Sequence, residues 1–272
     1  MDHAALIFLH IPKTAGTTLN RIIEWQYPPL SIFNVDARAH ATVERFKTLS
    51  EERRRRFRVV RGHMGYGIHE FLPQGGTYIT MLREPVARVL SSYYFILRRP
   101  LHPHHRKLKK NQLGIEEYLR LFPDRDNVQC RFVAGVQDGA SYDDHILEIA
   151  KENLTKSFSV IGLSERFEES LVLLAKTFGW EIPYFENWKV AKVRPAIDPR
   201  VIDRIRERNH LDIQLYDFAK ARFEESLRRK GDAVRNGLTT LHSRPRPGPL
   251  KNFCDSGLSM GRFLVSKIAS AI

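Results

Sequence analysis

The stretch "ALIFLHIPKTAGTTLNRII" (residues 5–23) constrains the fold more than any other part of the chain. Its first six residues form a short apolar run, as expected of a buried parallel strand. Leu19, Ile22 and Ile23 then recur at helical spacing, so residues 16–26 read as a helix that Pro28 and Pro29 end. Between them lie Lys13, Thr14, Ala15, Gly16, Thr17 and Thr18. A strand–loop–helix of this composition suits a phosphate. Helix N-termini present unpaired N–H groups and the positive end of the dipole. Gly16 permits close approach, the threonines carry hydroxyls, and Lys13 adds charge. The order differs from G-x-x-x-x-G-K-[ST], because the lysine precedes the glycine, so an ATP or GTP loop is not supported. A tight strand–helix turn with incidental threonine caps is the other reading these residues leave open.

The rest of the chain repeats the alternation. "FRVVRGH" (57–63), "TYITMLRE" (77–84) and "FSVIGL" (158–163) read as strands. Helices are expected over 45–57, 85–98, 114–122, 142–154 and 164–179. A long helical stretch from Asp198–Pro199 to about 229 is expected to break near Asn209. "RRPLHPHHRKLKKNQ" (98–112) reads as a loop. This pattern predicts an α/β fold, a P-loop-like three-layer domain with a central, mostly parallel sheet flanked by helices. The domain is expected over residues 1–229. The basic, Pro-rich tail over 230–272 carries Met260, Leu264, Ile268 and Ile272 at four-residue spacing, a pattern for a short amphipathic helix. Such a helix offers a peripheral membrane contact, docking on the protein's own surface, or a second subunit.

The chain has 44 Lys and Arg against 31 Asp and Glu, a net charge of +13, which favours anionic partners or a basic, solvated surface. Cys130 and Cys254 are the two cysteines, too few for a disulfide framework and without zinc or redox spacing. The N-terminus lacks the pattern of a signal peptide, and no apolar run reaches the roughly 18 residues of a membrane span. A cytoplasmic protein is the expectation.

A second anion-binding stretch is "LREPVARVLSSYYF" (82–95). Arg83 ends a strand, where ligands of open α/β sheets gather, and its planar fork suits phosphate. Ser91 lies about two turns into the following helix. A surface ion pair is an equal reading for Arg83, and a solvated role is expected for Arg88.

Together, "HIPKTAGTT" resembles the 5′-phosphosulfate loop of the sulfotransferases, and "LREPVARVLSSYY" resembles their 3′-phosphate motif. The likeness is to the carbohydrate sulfotransferases that include the heparan sulfate and dermatan/uronyl 2-O-sulfotransferases, and to their bacterial relatives. It extends through "RGHMGY", "NVQCRFVAG", "SFSVIGLSERFEESLVLL" and, more weakly, "LYDFAKARFEE". The resemblance implies 3′-phosphoadenosine 5′-phosphosulfate (PAPS) as sulfate donor. It assigns Lys13, Thr14, Ala15, Gly16, Thr17 and Thr18 to the 5′ phosphosulfate and Arg83 and Ser91 to the 3′ phosphate. Gly162 and Leu163 fall near the adenine. No metal is required.

His63 ends a strand on the same edge as the loop. An imidazole titrating near neutrality suits a general base. A lone histidine is commonly structural, and the match at "GH" is what favours catalysis; Lys13 is the candidate for the bridging oxygen. Where some family members carry a second histidine, this chain has Arg61, a candidate contact for an anionic acceptor. His69 is the reserve base. Arg98, Arg99, Arg106, Lys107, Lys109 and Lys110 read as a solvated face or as a group holding an acidic acceptor. Asn127, Gln129 and Arg131 are cleft candidates, and Lys189, Lys192 and Arg194 candidate closing residues. The acceptor is expected to be a hydroxyl of an anionic glycan, a glycolipid or a small alcohol, with no nucleic acid involved. The rival readings are a small-molecule kinase, which needs ATP and Mg²⁺, and a non-catalytic polyanion binder, which leaves His63 unexplained.

Overall fold

The computed structural model describes residues 4–36, 39–136, 140–182 and 196–243. Lys189, Lys192, Arg194, Cys254 and the amphipathic pattern beyond Met260 lie outside the described residues, as does the side chain of Lys110. The first half of the chain forms β1 (Ala5–Leu9), α1 (Gly16–Gln26), β2 (Ile32–Val35), α2 (Ala39–Thr48), α3 (Glu51–Arg55), β3 (Val59–Gly62), β4 (Gly76–Leu82) and α4 (Pro85–Leu97). The second half forms α5 (His105–Lys110), α6 (Ile115–Leu121), α7 (Val128–Ala134), α8 (Ile146–Lys156), β5 (Phe158–Leu163), α9 (Phe167–Phe178), α10 (Pro199–Arg208) and α11 (His210–His242).

The five strands make one parallel sheet in the order β2-β3-β1-β4-β5, flanked by helices, as the alternation predicts. All five residues of β1 are buried, which explains its unbroken apolar run. The chain winds from β1 through β2 and β3 on one side, then crosses to β4 and β5 on the other. The register aligns Leu9 with Gly62 and Thr80, Val35 with Gly62, and Leu82 with Leu163. All strand ends therefore share one edge, and the reversal of winding lies at β1, where α/β sheets hold ligands.

Several expectations are corrected. The edge strand β2 is only four residues long, with no alternation to mark it. The helix expected over 45–57 is two: α2 starts earlier, and Ser50 caps α3 by accepting from the Arg53 N–H at 3.3 Å. The basic segment expected as a loop contains α5, because Leu108 is buried in a second apolar cluster with Val89, Ile96, Tyr118 and Ile205. The break at Asn209 is present: its Nδ2 donates to the Ile205 carbonyl at 2.9 Å, and its Oδ1 accepts from the Asn127 N–H at 3.1 Å. Beyond it, α11 continues past residue 229 to His242, with Val234 buried in the main core. No helix among the described residues is long and apolar enough to cross a membrane.

Candidate active site at the carboxyl edge of the sheet

The loop after β1 has an unusual backbone. Lys13 and Ala15 have φ of 75° and 66°, while Thr14 between them does not have positive φ. Alternating handedness of this kind is the backbone pattern of nests, in which main-chain N–H groups turn toward one concavity that suits an anion. Thr14 is fully buried, and its hydroxyl donates to the Ile11 carbonyl at 2.9 Å. Its one O–H proton thus closes the loop, which corrects the expectation that this hydroxyl serves a phosphate. No side chain caps the start of α1. Gly16 is buried under the His10 ring: a Cβ there would stand 2.0 Å from His10 Nε2. The cradle exists because this position has no side chain. Thr17 is exposed and Thr18 half-buried on the first turn of α1.

His63 follows Gly62, whose φ of 148° and approach to β2 exclude a side chain: a Cβ would lie 2.2 Å from the Val35 carbonyl oxygen. His63 Nδ1 lies 2.7 Å from the His10 carbonyl oxygen. A carbonyl only accepts, so Nδ1 carries the proton and the Nε2 lone pair is left for other use. Burial holds the His63 imidazole below its ordinary range, opposed by the bond to His10 and reinforced by the charge of Lys13. Burial and the Lys13 charge both favour the neutral imidazole. Its ring lies 4.3 Å from that of His10, which also stacks on Phe8 at 5.2 Å and meets Asn20 Nδ2 at 3.3 Å.

Arg61 does not face an acceptor. It is buried and bonds Glu24 at 2.5 Å, the Asn20 carbonyl at 2.7 Å and Asn34 Oδ1 at 2.7 Å, tying β3 to α1 and β2. His69 sits at the opposite edge of the sheet, 3.0 Å from the hydroxyl of Tyr78, which pairs with the first residue of β5.

Arg83 leaves β4 at the same edge as His63. Its main chain is clamped by the Gln129 side chain, which accepts from the Arg83 N–H and donates to its carbonyl, both at 2.8 Å. Its guanidinium donates to the Lys13 carbonyl at 3.1 Å, so the loop after β1 and the segment leading into α4 are joined. Glu165, following β5, lies 3.9 Å from Arg83 Nε. Glu84 caps α4 through the N–H groups of Val86 and Ala87, and Ser91 is buried on that helix. Arg88, expected in solvent, is instead buried 3.6 Å from Asp212 and donates to the Arg125 carbonyl at 2.9 Å. Asn127, Gln129 and Arg131 are likewise buried and back the site rather than line a cleft.

Gly162 and Leu163 lie in β5. A Cβ at Gly162 would stand 2.3 Å from Met81 Sδ, and Ser170 Oγ bonds both the N–H and the carbonyl of Leu163, at 2.8 and 3.2 Å. Their surroundings are packed core. The next residue, Ser164, reaches the edge, and its buried Oγ has no hydrogen-bond partner among the described residues. Arg98, Arg99, Arg106, Lys107 and Lys109 are exposed around the end of α4 and on α5. Sequence reasoning missed His10, Glu165 and Phe95, although each stood inside a quoted stretch, and it placed Gln129 in a cleft rather than behind Arg83.

The fold and this edge define an α/β protein with an anion nest, an imidazole and an arginine at the switch point of a parallel sheet. Residues 2–256 match the galactose-3-O-sulfotransferase family model, and the chain belongs to that family. It is 27% identical over 265 residues to heparan-sulfate 6-O-sulfotransferase 1 of Gallus gallus, covering 79% of this chain and 65% of the relative. It is 27% identical over 261 residues to galactose-3-O-sulfotransferase 3 of Homo sapiens, covering 85% of this chain and 59% of the relative. The human heparan-sulfate 6-O-sulfotransferase 1 matches at 26% over 185 residues, 56% of this chain and 44% of the relative. The chain thus spans about half to two thirds of the length of these curated relatives. Among solved structures, a sulfotransferase from Alicyclobacillus acidocaldarius aligns with TM-score 0.44 and 14% identity over 82% of this chain and 97% of the other.

Proposed function

We propose that this protein transfers the sulfuryl group of PAPS to a hydroxyl of a carbohydrate acceptor, with His63 as general base. The observation that carries the proposal is the His63 tautomer. Nδ1 is committed to the His10 carbonyl, so a neutral imidazole keeps Nε2 as a proton acceptor beside the anion nest and Lys13. Membership of the family and the cradle over Gly16 support the same reading.

His63 Nε2 takes the acceptor's hydroxyl proton as the acceptor oxygen bonds to sulfur. The bond between sulfur and the 5′-phosphate oxygen breaks in line, and Lys13 meets the charge that develops on that oxygen. The loop amides of 13–18, with Thr17 and Thr18, hold the 5′ phosphate. Arg83 and Ser91 take the 3′ phosphate, and the adenine is expected at the edge just past Gly162 and Leu163, where Ser164 leaves β5. Most of the acceleration then comes from positioning and electrostatics.

The names of the relatives point to heparan sulfate or galactose. The exposed basic group from Arg98 to Lys109 favours an acidic glycan or glycolipid. The test is calorimetric titration with 3′-phosphoadenosine 5′-phosphate (PAP) beside ATP. Selective binding of PAP is expected; no binding, or preference for ATP, overturns the donor.

A further inference from the structure

Phe95 is used by neither anion-binding motif, yet three positively charged or titratable groups converge on its ring. Lys13 Nζ lies over it at 3.8 Å, Arg99 Cζ at 4.9 Å, and His102 meets it edge-on at 5.9 Å. Lys13 comes from the loop after β1, whereas Arg99 and His102 belong to the exposed basic segment after α4. Ser91, Phe95 and Arg99 are spaced four residues apart, so the ring continues the face that carries Ser91.

Lys13 is thereby held at two points by one unit. Its carbonyl accepts from Arg83, just before α4, and its ammonium rests on a ring near the end of α4. A lysine has a flexible four-carbon stem, so its position is set by what meets the head group. The face of an aromatic ring attracts a cation electrostatically without neutralising it, and Arg99 is attracted to the same ring.

We infer that Phe95 is a positioning residue. Its ring sets the Lys13 ammonium for the donor and aligns Arg99 beside it, so that an anionic group of the acceptor is bound next to the transferring sulfuryl group. The inference rests on the reading given under Proposed function, and its test separates the two.

Phe95 is replaced by mono-, di- and trifluorophenylalanine, which weaken the ring's negative face with little change of shape. PAP affinity is read by calorimetry in the full chain. Loss of a cation–π contact at an exposed site corresponds to about two- to fivefold in affinity, so log Kd is expected to rise stepwise with fluorine number by that total. Phe95→Leu is expected to match the trifluoro protein and Phe95→Trp the parent. The same series at Phe122, whose ring lies 5.7 Å from Lys107 Nζ, is expected to be flat. With an anionic glycan acceptor, KM is expected to rise in step. A flat or inverted series at Phe95, in a protein that binds PAP, overturns the role of Phe95 and leaves the donor assignment standing. A parent protein that binds no PAP overturns the donor assignment itself.

Discussion

The Nδ1 atom of His63 lies 2.7 Å from the carbonyl oxygen of His10, a residue 53 positions away in sequence. This bond fixes the tautomer of the proposed base and joins it to the end of β1, just before the loop that carries Lys13. His10 therefore serves through its main chain and its ring together, holding His63 with the one and covering Gly16 with the other.

On this arrangement, His63→Ala is expected to lower transfer about 10²–10⁴-fold while PAP binding persists. The base acts when deprotonated, and burial lowers its pKa from the ordinary 6.5. Activity should therefore fall on acidification, with the midpoint of the acid limb in kcat/KM, which reports the free enzyme, below 6.5. A midpoint above that value, or near-normal turnover in the variant, would remove His63 from the role.

Lys13 is expected to affect both steps it touches. Lys13→Ala should lower kcat as well as donor affinity, because the ammonium meets charge that develops only in transfer. Steady-state kinetics with varied donor checks this, and a change confined to KM would reduce Lys13 to a binding residue.

Gly16→Ala places a methyl group 2.0 Å from His10 Nε2 unless the ring moves. The movement should disturb the nest and the His63 bond together. We expect weaker PAP binding and lower kcat in a protein whose circular dichroism is unchanged.

Gln129→Leu removes the clamp on the Arg83 main chain. Two partly buried polar groups lose their partner, at about 1–3 kcal/mol for each one left unsatisfied. With Arg83 loosened, the preference for PAP over AMP should shrink, since only PAP carries the 3′ phosphate. Paired titrations with the two nucleotides measure it.

Arg61→Met leaves Glu24 buried beside an apolar side chain. Loss of one partner of a buried pair costs about 3–5 kcal/mol, whereas replacing both is far milder. Thermal unfolding should show a lower Tm for Arg61→Met and partial recovery in the Arg61→Met, Glu24→Leu double variant.

Much of this molecule was legible because its signals are local. The apolar run of β1, the small residues of the loop and the periodicity of α1 lie within 22 consecutive residues, Ala5 to Gln26. The helix opened by Pro85 follows from a single residue with a strong backbone preference. β2 escaped because four residues carry too little periodicity, and α5 because Leu108 stands alone as the apolar anchor in a basic stretch.

The sequence by itself determined the alternation of strands and helices, the strand–loop–helix at residues 5–26 and the candidacy of His63 and Arg83. The tertiary structure alone decided what each polar side chain does. Arg61, Arg83 and Arg88 are chemically identical, yet Arg61 is consumed by Glu24 and Arg88 faces Asp212, while Arg83 reaches the Lys13 carbonyl. The reason is physical: a guanidinium takes whatever acceptor the fold brings within about 3 Å. Those acceptors come from segments tens of residues distant, so only the packing of the sheet and its helices selects among them.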